Sequence, residues 1–380
     1  MEITDLLVAT HKNKASDLHI SSRNPPIMRL NGDMLPLDMP ALTADDAKQM
    51  IYSIMSEQQR SDYERELELD FSISFSDDMR FRVNAFNTIY GPAAVCRTIP
   101  TKILSLETLN TPEVFKRLCH LHKGLILVTG PTGSGKSTTL AAMVDHINQN
   151  MNKHILTVED PVEFVHQSKR SLVNQREVGA STKSFARALK SALREDPDVI
   201  LVGEMRDLET IQLAMTAAET GHLVMGTLHT SSAAKTIDRI IDVFPANDKE
   251  MVRAMLSVSL EAVIAQTLLK KRDGKGRIAA HEIMLGTPAI RNLIREAKIP
   301  QISSMIQMGS RIGMCTMRDT VNRLYEAGEI SQETLQEALA TGSNNDDQSG
   351  GSTGGGTTSG TGNTSGGGAA KRPTTAPNSF

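Results

Sequence analysis

The chain has 380 residues, 39% hydrophobic and 22% charged, with a formal charge of −3. That is the make-up of a globular protein of two or three domains and not of a disordered polyelectrolyte. With pI ≈ 6.4, 3% aromatic residues and no Trp, it has neither the field nor the stacking platforms that draw nucleic acid, so no nucleic-acid partner is expected.

The three cysteines, Cys96, Cys119 and Cys315, are far apart and form no CxxC pair, which suits a reducing compartment and argues against zinc. The acidic start Met1-Glu2-Ile3-Thr4-Asp5 and the lack of an apolar run of about 18–20 residues predict a cytoplasmic protein without direct membrane insertion. Residues 6–8 open a helix, and residues 17–20 read as a short strand. After Pro25-Pro26 a second helix is predicted near 44–55, followed by a three-strand meander. Residues 71–75 and 80–86 alternate at period two, 93–99 completes the set, and turns fall at Asp77-Asp78 and Gly91-Pro92. Residues 1–100 therefore read as a small α+β domain and 101–112, between Pro100 and Pro112, as a linker.

From 113 to 285 the pattern changes. Strongly apolar runs at 125–129, 155–158, 199–202, 223–228 and 278–285 alternate with helical stretches, which marks an α/β domain with a buried, mainly parallel sheet. Residues 286–341 read as helical without strands. Residues 342–380 are almost wholly Gly, Ser, Thr, Asn and Pro, too polar to offset their ordering entropy, and are expected to be disordered, as a tether or a passive extension.

Gly130-Pro131-Thr132-Gly133-Ser134-Gly135-Lys136-Ser137, followed by Thr138, matches G-x-x-x-x-G-K-[ST] between a strand and a helix. Its glycines let backbone N–H groups close around phosphates at the positive end of a helix. Lys136 is expected to reach the β- and γ-phosphates of ATP and the Ser137 hydroxyl to ligate Mg²⁺. Two further strands run into carboxylates: Glu204 after 199–202, and Glu159, Asp160 and Glu163 after 155–158. Strand ends of a parallel sheet share one edge, so these acids can converge on the γ-phosphate, Glu204 as the group that polarises water and Glu159 and Asp160 as candidate metal ligands. Gly203 stands where such strands usually carry a metal-binding Asp. His222 and His229 bracket residues 223–228, and His229 is a candidate γ-phosphate sensor. Arg80 and Arg82, two apart on one strand, share a face that Arg97 can join, so a closing small domain can bring guanidinium groups onto the phosphates.

Four segments, GPTGSGKST, ILTVEDPVEF, ILVGEMRDLET and TGHLVMGTLHT, closely resemble the secretion-ATPase superfamily. Residues 289–296, AIRNLIRE, resemble the helix associated with its pilus-retraction (PilT-like) branch. The resemblance covers roughly residues 1–340 and leaves out the tail. It implies a PAS-like N-terminal domain and a RecA-like P-loop ATPase core with nucleotide between them. It further implies that Glu204 is the catalytic glutamate, that Glu163 is an acidic-box residue required for activity, and that Arg82 and Arg97 approach the phosphates. By the same resemblance the chain is a homohexamer that hydrolyses ATP to retract type IV pili. It acts on an inner-membrane platform protein (PilC-like), with an accessory retraction ATPase (PilU-like) as a further partner. The alternatives are an assembly or type II secretion ATPase or the accessory retraction paralogue of the same superfamily, a DNA-handling ATPase, and a small-molecule kinase. Along residues 289–296, Ala289, Ile290, Leu293 and Ile294 are expected to be buried, and Arg291, Arg295 and Glu296 to be solvated.

Overall fold

The computed structural model describes residues 2–346 apart from 31, 77, 78 and 101, with side chains described through residue 340. Its first lobe comprises α1 (Ile3–Lys12), β1 (Asp17–Ser21), β2 (Ile27–Leu30), β3 (Asp33–Pro36), α2 (Ala44–Ser53), α3 (Glu57–Glu66), β4 (Glu68–Ser76), β5 (Met79–Thr88) and β6 (Gly91–Ile99). The strands form one antiparallel sheet in the order β3-β2-β1-β6-β5-β4. The meander is as expected, but the turn predicted at Asp77-Asp78 lies outside the described residues. The helix expected over 44–55 ends sooner, and α3 begins with a capping box between Ser56 and Gln59. Periodicity is silent there because α3 buries only Tyr63 and is otherwise polar.

The second lobe contains α4 (Val114–Cys119), β7 (Gly124–Thr129), α5 (Lys136–Asn150), β8 (His154–Glu159), β9 (Leu172–Glu177), α6 (Phe185–Ala192), β10 (Val199–Val202), α7 (Leu208–Glu219), β11 (Leu223–Leu228), α8 (Ala233–Asp242), α9 (Lys249–Ser259), β12 (Leu260–Lys270) and β13 (Arg277–Leu285). The sheet order is β13-β12-β7-β11-β10-β8-β9, parallel except for the antiparallel pair β12/β13. Every residue of β7, β10 and β11 is buried, which is why these strands read as unbroken apolar runs. Besides β2 and β3 of the first lobe, two strands of this lobe escaped the sequence reading. β9 is a polar edge strand, and β12 follows α9 without a Gly or Pro to separate helix from strand.

The C-terminal part is helical: α10 (Pro288–Arg295), α11 (Ile302–Met308), α12 (Met317–Glu326) and α13 (Gln332–Asp346). Residues 342–346, expected to be disordered, continue α13; 347–380 lie outside the described residues. Helix α10 corrects the expected polarity of residues 289–296. Ile290 and Ile294 are fully buried, but Ala289 is exposed and Leu293 only partly covered. Arg291 is half-buried and its guanidinium is engaged by protein acceptors. It donates to Gly286 O at 2.7 Å, Ser257 O at 3.0 Å and Glu261 Oε1 at 2.7 Å, and also to Val258 O. It thereby caps the C-terminal end of α9, whose last carbonyls lack helical partners.

The lobes are fastened at Glu177. Its carboxylate accepts from Ser72 Oγ of β4 at 2.6 Å, from Arg80 of β5, and from the backbone N–H of Val162 at 3.0 Å. Arg80 is therefore an interlobe contact, and its place as a candidate phosphate-binding arginine passes to its neighbours.

Candidate active site

The C-terminal ends of β7, β8, β10 and β11 lie on one edge, because all four strands run parallel. β7 delivers the phosphate loop. Gly130, at φ +145°, has no room for a side chain, since a Cβ there would lie 2.2 Å from Gln266 O. Gly135, at φ +86°, turns the chain into α5. Lys136 is buried, and its ammonium donates to Gly130 O at 2.8 Å and Pro131 O at 3.1 Å. Burial lowers its pKa, while the Glu204 and Glu163 carboxylates oppose that shift.

β10 delivers Glu204 just beyond its end. One carboxylate oxygen, Oε1, takes both the Arg206 guanidinium and His229 Nε2, the latter at 3.0 Å. His229, at the end of β11, thus sits on the carboxylate expected to act on water. His222 is at the other end of that strand, with Nδ1 3.0 Å from Ala217 O at the C-terminus of α7, away from the site. Gly203 has a packing reason: a Cβ there would stand 3.2 Å from both Val158 O and Glu159 Cα.

β8 delivers the acidic loop. Glu159 is buried, which raises its pKa. Its oxygens accept from Thr157 Oγ1 at 2.6 Å, Gln175 Nε2 at 3.1 Å and Glu163 N at 3.4 Å. Asp160 and Glu163 are exposed toward the cleft. Burial raises the Asp160 pKa, with the Arg82 guanidinium pulling it back.

The small lobe closes the other side. Arg82 and Arg97 are direct cross-strand partners in β5/β6. Arg82 Nε donates to Asp70 at 3.1 Å, and Arg97 Nε to Asp17 Oδ1 at 3.0 Å. A cleft of about 640 Å³ joins the lobes. Arg82 and Arg97 line it on one side, and on the other are Thr132, Gly133, Gly135, Lys136, Ser137 and Thr138. Glu159, Asp160, Glu163, Glu204 and His229 complete its wall. Gly130 and Ser134 lie behind the loop, and Pro131 faces a neighbouring cavity. The sequence reading missed Arg206 and Gln266. The latter was legible as the lone amide in the apolar run of β12.

A family model described as Type II/IV secretion system protein matches residues 2–275. The chain is 60% identical over 337 residues to the "Type IV pilus retractation ATPase PilT" of Pseudomonas aeruginosa, covering 89% of this chain and 98% of that one. It is also 60% identical over 308 residues to a "Twitching motility protein" of Neisseria gonorrhoeae, covering 81% and 82%. A crystal structure of the pilus retraction motor PilT with bound ADP superposes with a TM-score of 0.83 at 49% identity, covering 89% of this chain and 97% of that one. With a phosphate loop, a glutamate at the end of the neighbouring strand and an arginine-bearing lobe across one cleft, this chain belongs to the type II/IV secretion ATPase family and, within it, to the pilus-retraction ATPases.

Proposed function

We propose that the chain is an ATP-hydrolysing motor that retracts type IV pili. The observation that carries this reading is the cleft itself. Lys136 and Ser137, the Glu204–His229 pair, and Arg82 and Arg97 come from five separate stretches of sequence and meet across one gap. The loop N–H groups and Lys136 hold the phosphates. Glu204, held by His229 and Arg206, orients and polarises the attacking water. Arg82 and Arg97 offset charge that grows on the γ-phosphate, and do so only when the small lobe is near. Turnover then changes the relative pose of the lobes, which is the mechanical output.

The donors facing the cleft suit Mg²⁺, a hard cation that takes oxygen ligands. The Ser137 hydroxyl and the Asp160 and Glu163 carboxylates are available, whereas the oxygens of Glu159 are occupied in holding the acidic loop. Among the described residues no three His, Cys, Asp or Glu side chains cluster to hold a metal; an Mg²⁺ held by the Ser137 hydroxyl together with the nucleotide would serve to neutralise phosphate charge. Residues 1–100 are read as the PAS-like lobe, 101–112 as the linker, 113–285 as the RecA-like core and 286–341 as the helical region. The assembly is a homohexamer at the inner face of the cell membrane, held there through a platform protein and joined by an accessory retraction ATPase. None of the described helices is long and apolar enough to cross a membrane.

The test is Glu204→Gln in the full-length protein and in a strain carrying it. ATP binding persists, turnover falls at least ~100-fold, and surplus non-retracting fibres accumulate on the cell. Near-normal turnover, or bare cells, refutes the reading.

A further inference from the structure

Strand β12 runs parallel to β7 with Ala265 opposite Thr129, so the next residue, Gln266, lies beneath the start of the phosphate loop. It touches the loop at both ends. Its backbone carbonyl oxygen occupies the space a Gly130 side chain would need, and its side-chain Nε2 lies 2.9 Å from where a Gly135 Cβ would be. The side chain is 3% exposed. Nε2 donates to Ser134 O at 2.7 Å, and Oε1 accepts from Thr139 Oγ1 at 2.8 Å. Oε1 also lies 3.1 Å from His281 Nε2.

The chemistry of these partners fixes the amide orientation. A flipped amide would set its oxygen against Ser134 O, two acceptors face to face. Burial pushes His281 down to about 4, so the ring is neutral near pH 7 and carries its proton on Nε2, toward the amide oxygen. A peptide unit is planar, and in its trans form C=O and N–H point in opposite directions. Holding Ser134 O down onto Gln266 therefore turns the Gly135 N–H up into the hollow of the loop, where phosphate-loop amides bind β-phosphate oxygens.

We propose that Gln266 is a positioning residue that aims the Gly135 N–H at the nucleotide phosphates. The proposal rests on the loop being the phosphate site. An amide in the core for packing alone would act differently: its loss would reduce the fraction of folded enzyme, lowering apparent kcat and leaving KM unchanged. A misdirected loop N–H weakens contacts made in both the bound substrate and the transition state, which raises KM with kcat preserved.

The experiment compares the full-length parent with Gln266→Met, which keeps the volume and removes the donor. Gln266→Asn, which withdraws the amide by one methylene, serves as the second variant. The expected result is a KM for ATP, and a Kd for a fluorescent ADP analogue with Mg²⁺, raised at least ~10-fold, with kcat within ~3-fold of the parent. Unchanged KM, with or without a lower kcat, overturns the proposal. So does failure of both variants to fold, which would assign the side chain to the core. Lys136→Ala, run alongside, separates the two claims. If it binds nucleotide like the parent, the phosphate-site reading fails; if it loses binding while the Gln266 variants do not, only the role of Gln266 fails.

Discussion

In the seven-stranded sheet the strands that carry the phosphate loop, Glu204 and His229 are buried along their whole length. In the six-stranded sheet, β5 alternates buried and open positions, and its arginines project from the open ones. The cations follow the same division. Lys136 is buried and tied to the backbone carbonyls of its own loop. Arg82 and Arg97 are 39% and 68% exposed, and each leans on a carboxylate of its own lobe, Asp70 or Asp17. Groups that must hold phosphate at every stage sit on the sheet that cannot shift without losing its core. Groups needed only near the transition state sit on a surface, with a partner they can exchange for phosphate. The Arg82–Asp70 pair is exposed on both sides, and ion pairs of that kind are worth little to stability, so giving it up costs little.

That contrast can be broken most decisively at Arg82. Arg82→Ala is expected to lower ATP turnover at least ~100-fold with almost no change in melting temperature. A melting temperature that falls with activity would mean that Arg82 serves the sheet and not the cleft.

Arg291 predicts the reverse behaviour. Its removal leaves the carbonyls of Gly286 and Ser257 and the Glu261 carboxylate without a donor, a loss of about 2–3 kcal/mol. Arg291→Ala should therefore lower denaturant stability, and turnover only through the unfolded fraction. Exposed Arg295 on the same helix is the better probe of retraction: Arg295→Ala should preserve both stability and ATPase rate while altering pilus withdrawal.

The pH dependence sharpens the picture of the buried lobe. Burial pushes His166 down to about 4 from the usual 6.5. The fold favours the neutral ring, so stability is full above pH 6.5 and declines as pH falls toward 4, at up to about 1.4 kcal/mol per pH unit for this group. His166→Gln should flatten that part of a stability-against-pH curve by about one proton; an unchanged slope would show that His166 titrates normally.

The smallest effect is expected at the joint. Glu177→Gln keeps one oxygen for Val162 N–H and can turn its amide NH2 toward the Ser72 hydroxyl, but loses the charge facing Arg80. Proteolytic cleavage within 102–112 should accelerate a few-fold as the lobes part more often. No acceleration would mean that the lobes are held elsewhere.

Much of the site was legible before any coordinates. The phosphate loop has a fixed spacing, and parallel strands deliver their ends to one edge, so Glu204, Glu159, Asp160 and His229 could be placed by counting. Side-chain partners were not legible in the same way. Arg80 and Arg82 share a face, yet one reaches Glu177 across the lobes and the other Asp70 on the next strand, a choice set by tertiary distance. Arg291 illustrates the same limit, because helical periodicity marks it as outward-facing but cannot reveal that the end of α9 lies against it. The missing strand β12 has a local cause: an apolar run that passes from helix to strand without punctuation has no period to read.

Gly203 carries a practical consequence. An aspartate grafted there to restore the more usual strand ending would act as a wedge between β8 and β10, because the backbone of β8 is already 3.2 Å from its first side-chain atom. Spreading those strands would move Glu204 and Glu159 apart at the rim they share. In this chain the spacing between two backbones, and not one more carboxylate, keeps the acids in register with the phosphates.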